Sequence, residues 1–297
     1  MKPQLFGSTE VYKLVEIDSL PLESDWLFPG ISKEVVDEHR HWLGPHLVEP
    51  GTYRLFMSFH SFVIRTPTLN ILVDTCNGNH KQRPSMPNWH MLELPYLQRL
   101  ARIGLRPDDI DIVMCTHLHA DHVGWNTRLE NGRWVPTFPR ARYVVSRVEY
   151  QHYEALHRSG PAQPVNRGSF VDSVLPIIEN DQALLVDAHD SICDPMTDEI
   201  TLESSPGHSP AGLNLLLKGG NRRACFCGDV IHHALQCSVP ELSNLADHNP
   251  QQAIATRRSL LERSAEDGLI IMSGHFPEPT MGQAVRNGEA YRFQFLE

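Results

Sequence analysis

Short apolar runs separated by polar turns dominate the middle of the chain, and this pattern predicts strands. Leu55–Arg65 and Asn70–Val73 are two such runs. The segment Thr66–Leu69 between them contains Pro67 and has the composition of a turn. The pattern therefore predicts a β-hairpin.

Two other segments have the residue spacing of helices. Leucine and alanine recur at helical intervals between residues 94 and 104, with Pro95 in the first turn and Gly104 as a stop signal. Residues 249–268 begin with Asn-Pro and end with glycine. We predict a helix of about three turns in the first segment and a longer helix in the second.

Four further apolar runs share one property, because a histidine or an aspartate follows each of them closely. The runs are Ile110–Cys115, Glu199–Leu202, Arg223–Cys227 and Leu269–Met272. Loops converge where the strands of layered α/β proteins end, and binding sites form there. We therefore expect the polar side chains after these strands to meet at one sheet edge.

The first 52 residues are rich in Trp, Phe, Pro and His but lack a clear periodicity. No internal repeat, low-complexity tract or Gly/Ser linker divides the chain. We therefore predict a single domain over residues 1–297, in which residues 1–52 form an amino-terminal extension that wraps the core.

The composition narrows the choice of partners. The 297 residues have a formal net charge of −10, and no run of Lys or Arg could neutralise a phosphate backbone, which excludes nucleic acid as an expected partner. No apolar run reaches the length of a signal peptide or a membrane span, so we predict a soluble, cytoplasmic protein without a membrane partner.

The six cysteines lack the spacing of a disulfide framework and are predicted to be reduced thiols. Cys225 and Cys227 are interpreted as small buried hydrophobic residues rather than metal ligands.

Histidine is abundant, with 17 residues, and the densest group is the segment from Thr116 to His122. His117 and His119 are two positions apart, so an extended backbone places both imidazoles on one side, where they can hold a single metal ion. Asp121 and His122 follow where the chain is expected to enter a helix near Ala120, and they would face a neighbouring position. A polar surface loop is the alternative, but this set of side chains directly after a buried strand has no packing rationale.

The segment resembles the His-x-His-x-Asp-His signature of the metallo-β-lactamase superfamily. Three later segments are similar to further motifs of that family: Ser205-Pro206-Gly207-His208-Ser209, Cys227-Gly228-Asp229 and Ser273-Gly274-His275. The resemblance extends from about residue 53 to residue 280. It implies an α/β fold, an αββα sandwich of two mixed β-sheets flanked by helices.

The same resemblance implies a ligand set for two divalent metal ions. It assigns His117, His119 and His208 to one ion, Asp121, His122 and His275 to the other, and Asp229 as the bridging carboxylate. Taken alone, His208 could be a turn histidine, Asp229 a helix cap, and His275 part of an ordinary turn. Nitrogen and oxygen ligands suit zinc best, with Mn, Fe or Co as alternatives.

Such a centre implies hydrolysis. Two bridged ions lower the pKa of a shared water, and the resulting hydroxide attacks a carbonyl carbon or a phosphorus. Asp121 could orient this nucleophile or carry its proton. Asp121 and His232 are the expected catalytic residues.

Individual positions indicate which branch of the superfamily the chain resembles. Class B β-lactamases lack the bridging Asp or have Cys in its place, so Asp229 argues against that activity. The ligand set and the segment after Asp229 look most like quorum-quenching lactonases and methyl parathion hydrolases. In those lactonases a Tyr stands three residues after the bridging Asp, where this chain has His232. We expect His232 or His233 to contact the substrate, and a polar helix start is the alternative for both.

Aromatic residues supply candidate pocket walls. Trp26, Phe28, Trp89 and Trp125 could line an apolar cleft for the substrate, or they could be core residues. Asp74 ends a predicted strand and could hydrogen-bond behind the metal-binding loop, with a surface cap as the alternative.

The leading prediction is a dinuclear metal hydrolase of lactones or carboxylic esters. Phosphotriester hydrolysis is the main alternative, because one bridging hydroxide can serve either reaction. A mononuclear iron enzyme like the persulfide dioxygenases, a thioesterase and a non-catalytic binding protein rank lower. The expected partner is a small-molecule substrate, and the sequence leaves a homodimer open.

Overall fold

Fifteen strands carry most of the regular structure in the computed structural model, which describes residues 3–188 and 200–296. The strands are β1 Gln4–Phe6, β2 Thr9–Glu23, β3 Arg54–Arg65, β4 Asn70–Val73, β5 Ile112–Met114, β6 Thr127–Glu130, β7 Arg133–Pro136, β8 Arg142–Ser146, β9 Ala183–Val186, β10 Ile200–Ser204, β11 Leu213–Gly219, β12 Arg222–Phe226, β13 Ile270–Met272, β14 Met281–Asn287 and β15 Ala290–Phe295.

Two mixed sheets and one hairpin contain these strands. The larger sheet has seven strands in the order β1-β2-β3-β4-β5-β8-β9, and the smaller has six in the order β10 to β15. In the larger sheet β3 and β4 are antiparallel, whereas β4, β5, β8 and β9 are parallel to one another. In the smaller sheet β12 and β13 are the parallel pair. Strands β6 and β7 form the separate hairpin.

Eight α-helices accompany the strands in the described residues. They are α1 Ser24–Leu27, α2 Lys33–Leu43, α3 Tyr96–Arg102, α4 Ala120–Val123, α5 Arg147–Arg158, α6 Leu175–Glu179, α7 Leu235–Ser238 and α8 Pro250–Asp267. The longest, α8, begins where the Asn249 side chain accepts a hydrogen bond from the Gln252 N–H and ends at Gly268, whose φ of 67° is left-handed. These caps are the signals from which the sequence predicted this helix.

The chain divides into two compact units, each built from segments distant in sequence. The first comprises Met1–Glu16 and Phe59–Asp194, and the second Ile17–Ser58 and Pro195–Glu297. In the first unit, a buried apolar cluster includes Val113 of β5, Tyr143 of β8 and Leu100 of α3.

The second unit has buried apolar residues of its own. Phe226 of β12, Ile271 of β13 and Phe293 of β15 are nearly inaccessible to solvent. Phe276 packs edge-on against Phe293, with ring centroids 4.9 Å apart. This packing anchors the chain just after β13.

Most elements predicted from the pattern are confirmed. Strands β3 and β4 form the predicted hairpin, and α8 is the predicted long helix. The helix in residues 94–104 is shorter than expected, because only Tyr96–Arg102 is helical.

Two predictions need correction. The four strands that precede the candidate ligands do not belong to one sheet, because β5 lies in the larger sheet and β10, β12 and β13 lie in the smaller. The predicted extension, residues 1–52, contains β1, β2 and α2, and the first two are strands of the larger sheet.

Glu199 and Cys193 lie outside the described residues. The described cysteines are free thiols. Among the described residues, no helix combines the length and apolar character needed to span a bilayer.

A buried charge cluster fixes the loop after β4 in the first unit. The guanidinium of Arg83 makes a two-pronged ion pair with Asp172, at 2.7 and 2.8 Å. The Lys81 ammonium donates to Thr127 Oγ1 at 2.6 Å and lies 3.5 Å from the centre of the Trp134 ring. Burial, only partly offset by the charge of Asp172, lowers the pKa of Lys81 to about 7.

This pKa predicts a pH-dependent stability. In the unfolded chain Lys81 has a pKa of about 10.4, so between about pH 7 and 10.4 the unfolded state binds more protons than the folded state. The wild-type protein should therefore gain stability relative to Lys81→Met as the pH rises, by at most about 1.4 kcal/mol per pH unit. Urea unfolding of both proteins at several pH values in this window measures the difference. Parallel pH profiles would contradict the prediction.

Candidate metal centre

Asp74 organises the metal-binding loop of the first unit. Strands β4 and β5 are parallel neighbours, so Asp74 and Thr116, which follow them, lie at the same sheet edge. Asp74 accepts hydrogen bonds from the Thr116 N–H at 2.7 Å, from Thr116 Oγ1 at 2.8 Å and from His122 Nδ1 at 2.9 Å. The carboxylate thus ties the start of the loop to its last histidine, in the position that the sequence predicted.

The three histidines of this loop lie against one another. The ring centroids of His117 are 4.6 Å from His119 and 4.0 Å from His122. Thr116 Oγ1 already donates to Asp74, so it accepts from His117 Nδ1 at 3.1 Å. The Tyr153 hydroxyl lies 3.3 Å from His119 Nε2. Burial raises the pKa of Tyr153, so this hydroxyl keeps its proton.

The peptide groups of Leu118 hold the loop from two sides. Its N–H donates to Glu149 Oε1 at 2.7 Å, and its carbonyl accepts from Asn166 Nδ2 at 2.8 Å. Glu149 is fully buried in the first turn of α5. Asn166 has a left-handed φ of 46°. Both contacts restrict rotation of the backbone between His117 and His119.

The residue after the short helix α4 is a glycine, Gly124, because the backbone of Asn77 approaches it closely. A Cβ at this position would lie 1.8 Å from the carbonyl oxygen of Asn77, so no larger residue fits. The Gly124 N–H donates to the Cys76 carbonyl at 2.7 Å. The loop after β4 and the helix that carries Asp121 and His122 are therefore packed backbone to backbone.

Three strands of the second unit direct their ends to one sheet edge. β10 and β12 both run antiparallel to β11, and β13 runs parallel to β12. His208, Asp229 and His275 follow these strands in turn. The turn before His208 packs on α8, because a Cβ at Gly207 would lie 2.3 Å from the Ala253 nitrogen.

Asp229 is the centre of the histidine cluster in this unit. His275 Nε2 lies 2.9 Å from its Oδ1, and His208 Nε2 and His232 Nε2 each lie 3.2 Å from its Oδ2. The opposite nitrogens of two of these rings are also engaged. His208 Nδ1 lies 2.8 Å from Asp247, and His275 Nδ1 lies 3.1 Å from the Ser58 carbonyl.

The charges in this cluster attract cations. Burial opposes protonation of His208, but the adjacent carboxylates of Asp229 and Asp247 raise its pKa to about 9. Burial likewise disfavours the charged form of Asp247, yet the hydrogen bond with His208 holds its pKa below the ordinary value. A divalent ion would take the place of this proton between the imidazole and Asp229.

The residues present fit metal ions. The side chains able to hold one fall into two groups, each residue offering one ligand atom: His117, His119, His208 and Asp229; and Asp121, His122 and His275. Every histidine in these groups contacts an oxygen through its other ring nitrogen. Ligating histidines in proteins show this arrangement, because the outer oxygen fixes the tautomer and the ring plane. Nitrogen and carboxylate donors suit zinc.

The structure separates the two histidines after Asp229. His232 Nε2 lies beside Asp229, whereas His233 points away. His233 Nε2 lies 3.0 Å from the Leu47 carbonyl, and its Nδ1 accepts from the Leu235 N–H. Both nitrogens of His233 therefore serve the packing of the fold.

The candidate pocket aromatics have diverse environments. Trp125 is buried, stacks on Tyr96 and donates from Nε1 to Glu16. Trp26 is 41% exposed and Phe28 is fully buried. Trp89 is buried against Phe59 and lies under the guanidinium of Arg167.

Four side chains that contact the ligands or their loop were not found from the sequence. They are Glu149, Tyr153, Asn166 and Asp247. None belongs to a motif, and Asp247 lies 39 residues after the histidine it contacts. The one available signal was an acidic residue in the first turn of α5, which ordinary helix capping also explains.

Comparisons with known proteins identify the family of this chain. Residues 59–275 match the family model of the metallo-beta-lactamase superfamily. An N-acyl homoserine lactonase of Bacillus thuringiensis is 26% identical over 184 residues, which cover 59% of this chain and 60% of that protein. The matched region thus spans about three fifths of the length of this curated relative.

Solved structures extend the likeness to nearly the whole chain. The hydrolase AbOPH of the beta lactamase superfamily has a TM-score of 0.80 at 20% identity, covering 100% of this chain and 97% of its own. AidC, a dizinc quorum-quenching lactonase in complex with a homoserine product, has a TM-score of 0.78 at 18% identity, with coverage of 100% and 97%.

The chain belongs to the metallo-β-lactamase superfamily. Its fold is the one expected from the motifs, two mixed β-sheets with flanking helices. It has two His/Asp groups consistent with a dinuclear site.

The contacts of Asp74 predict a loss of metal affinity in Asp74→Asn. The amide retains the shape of the side chain but cannot accept from all three donors as a carboxylate does. We expect zinc affinity to fall about tenfold to a hundredfold, as for other outer partners of ligating histidines. Competition with a chromophoric chelator measures this change. Asp108→Asn, at an exposed aspartate before β5, is the matched control, and equal affinities of the two variants would refute the role of Asp74.

Proposed function

We propose that the protein is a dinuclear zinc hydrolase that opens lactones or cleaves carboxylic esters of small-molecule substrates. The supporting observation is the fixed orientation of the ligand histidines. Each has one ring nitrogen in contact with an oxygen, which fixes the ring plane, so the opposite edge of each ring is already oriented for binding an ion.

Two divalent ions held there would make water nucleophilic near neutral pH and would polarise a carbonyl group. The protein supplies the rest of the geometry. The side chain of Asp121 is 10% exposed and stands in the first turn of α4, with Oδ2 3.9 Å from His122 Nε2. We propose that its carboxylate orients the attacking water and accepts its proton.

The relatives and the presence of Asp229 both support this substrate class. The curated relative is a lactonase, and AidC was solved with a product of lactone opening. Class B β-lactamases lack a bridging Asp at the position of Asp229 or have Cys there. These likenesses support a cyclic or linear ester as substrate, with its carbonyl as the point of attack.

A substrate panel tests this proposal on zinc-loaded full-length protein. We expect hydrolysis of lactones or aryl esters that exceeds hydrolysis of aryl phosphotriesters. Chelation should reduce kcat/KM by about a hundredfold or more, because the ions supply several kcal/mol of transition-state stabilisation. Addition of zinc should restore the activity.

His119→Ala should lose activity to a similar extent, whereas His41→Ala, at an exposed histidine of α2, should retain it. Turnover of phosphotriesters alone would favour the alternative substrate class. Activity that survives both chelation and His119→Ala would refute the proposed metal-dependent reaction.

A further inference from the structure

Two consecutive residues of the first unit have a left-handed backbone although neither is glycine. Asn166 has a φ of 46° and a ψ of 47°, and Arg167 has a φ of 56° and a ψ of 25°. Side chains with a Cβ rarely adopt this conformation, and it persists only where the surrounding contacts impose it. Such strain is concentrated at binding and catalytic sites. The segment is therefore a candidate for a role in ligand binding.

The Asn166 side chain ties this segment to the metal-binding loop. Its amide donates to the carbonyl of Leu118 at 2.8 Å, and Leu118 separates His117 from His119 in the chain. His119 is partly exposed, whereas His117 is buried. Tyr153, whose hydroxyl lies 3.3 Å from His119 Nε2, also forms a hydrogen bond with Asn166. Asn166 thus lies on the side of the loop that is open to solvent.

The neighbours of Arg167 in the chain hold its backbone in place. The Arg167 N–H donates to the Pro164 carbonyl at 3.1 Å. Gly168 packs on the buried ion pair after β4, since a Cβ at this position would lie 3.4 Å from Arg83 Nη1 and 3.9 Å from Asp172 Oδ2. The side chain of Arg167 therefore extends from a backbone that is fixed on both sides.

The guanidinium of Arg167 has an aromatic contact but no anionic partner. It lies over the Trp89 ring, 5.7 Å from the centroid, which is within the range of a cation–π contact. The Arg167 side chain is exposed, and no acceptor or carboxylate of the described residues binds it. Arg83 differs, because both of its Nη atoms already contact Asp172. The N–H donors of Arg167 are consequently available to a ligand.

A guanidinium with free donors favours a carboxylate as its ligand. The two groups match in shape and form two parallel charge-assisted hydrogen bonds. The chain has a net charge of −10, so an anion is repelled by the protein as a whole and needs a local positive charge to bind. Arg167 supplies such a charge one residue from the side chain that contacts the metal-binding loop.

We propose that Arg167 determines substrate specificity by binding a carboxylate group of the substrate, at a distance from the carbonyl that is hydrolysed. This inference rests on the proposed function, because it selects acidic molecules among the lactones and esters. The Trp89 ring would contact the apolar part of the same substrate beside the carboxylate. A neutral substrate of equal length would lack the charge-assisted hydrogen bonds.

Two esters that differ in one group test this inference on the zinc-loaded, full-length protein. Mono-p-nitrophenyl adipate has a free carboxylate, and methyl p-nitrophenyl adipate has the same chain without the charge. We expect kcat/KM to be about tenfold higher for the acidic ester. The difference should lie mainly in KM, because a remote ion pair contributes equally to binding of the substrate and of the transition state.

Variants of Arg167 separate a role in specificity from a role in folding. Arg167→Gln should lower kcat/KM for the acidic ester by about tenfold and leave the neutral ester within about twofold. Arg167→Lys should retain part of the preference, and Arg167→Glu should favour an ester with a trimethylammonium group in place of the carboxylate. Arg140→Gln, at an exposed arginine before β8, is the matched control. Equal losses on the acidic and neutral esters, or no loss, would overturn the proposal.

Equilibrium binding provides a measurement that needs no turnover. Isothermal titration calorimetry compares adipate with monomethyl adipate, which both have one carboxylate but differ in the second. We expect adipate to bind the wild-type protein about tenfold more tightly, and Arg167→Gln to remove this difference. Equal affinities in the wild-type protein, or a difference that persists in Arg167→Gln, would contradict the role of Arg167.

The two proposals fail separately. If adipate binding depends on Arg167 but no lactone or ester is hydrolysed, the carboxylate site stands and the proposed function falls. If both esters are hydrolysed equally and neither turnover nor binding responds to Arg167→Gln, the proposed function stands and Arg167 does not determine specificity.

Discussion

The orientation of each candidate ligand histidine depends on a hydrogen bond between one ring nitrogen and an oxygen. Asp74, Thr116, Tyr153, Asp247 and the Ser58 carbonyl supply these oxygens. An imidazole on a flexible side chain loses rotational freedom when it binds an ion, and a ring that is already fixed loses less. The surrounding fold supplies this restriction in advance. The sheets, the glycine contacts and the Leu118 contacts all position these oxygens.

The buried charge of Asp229 opposes this arrangement of side chains unless positive charge lies close to it. Asp229 is 5% exposed, and the imidazoles around it are also buried. Burial of a carboxylate costs free energy unless positive charge compensates it, and the raised pKa of His208 means that its imidazolium form can supply part of that charge. The candidate centre therefore combines a geometric restriction with a buried negative charge, and both would favour binding of a metal ion.

The sequence was sufficient to predict the fold because its elements depend on local patterns, and the ligand set, which also comes from short motifs, stays a prediction. The hairpin, helix α8 and the motif from His117 to His122 are readable within short windows. The strands of residues 1–52 were missed because β2 is half buried and lacks a simple alternation. Asp247 and Asn166 could not be found, since each meets its partner through tertiary folding, 39 and 48 residues away in sequence. The residue types also did not reveal that His232 faces Asp229 whereas His233 faces Leu47. The turn of the backbone after Asp229 determines the direction of each side chain.

The contact between His275 and Ser58 has a consequence for the order of events in folding. These residues are 217 positions apart, and the second unit combines Ile17–Ser58 with Pro195–Glu297. Closing so long a loop is slow relative to local structure formation. During synthesis on the ribosome, Ile17–Ser58 cannot contact the later segment of this unit until that segment has been made. We therefore expect the hydrogen bond that orients His275 to form late in folding, after the local structure of both segments.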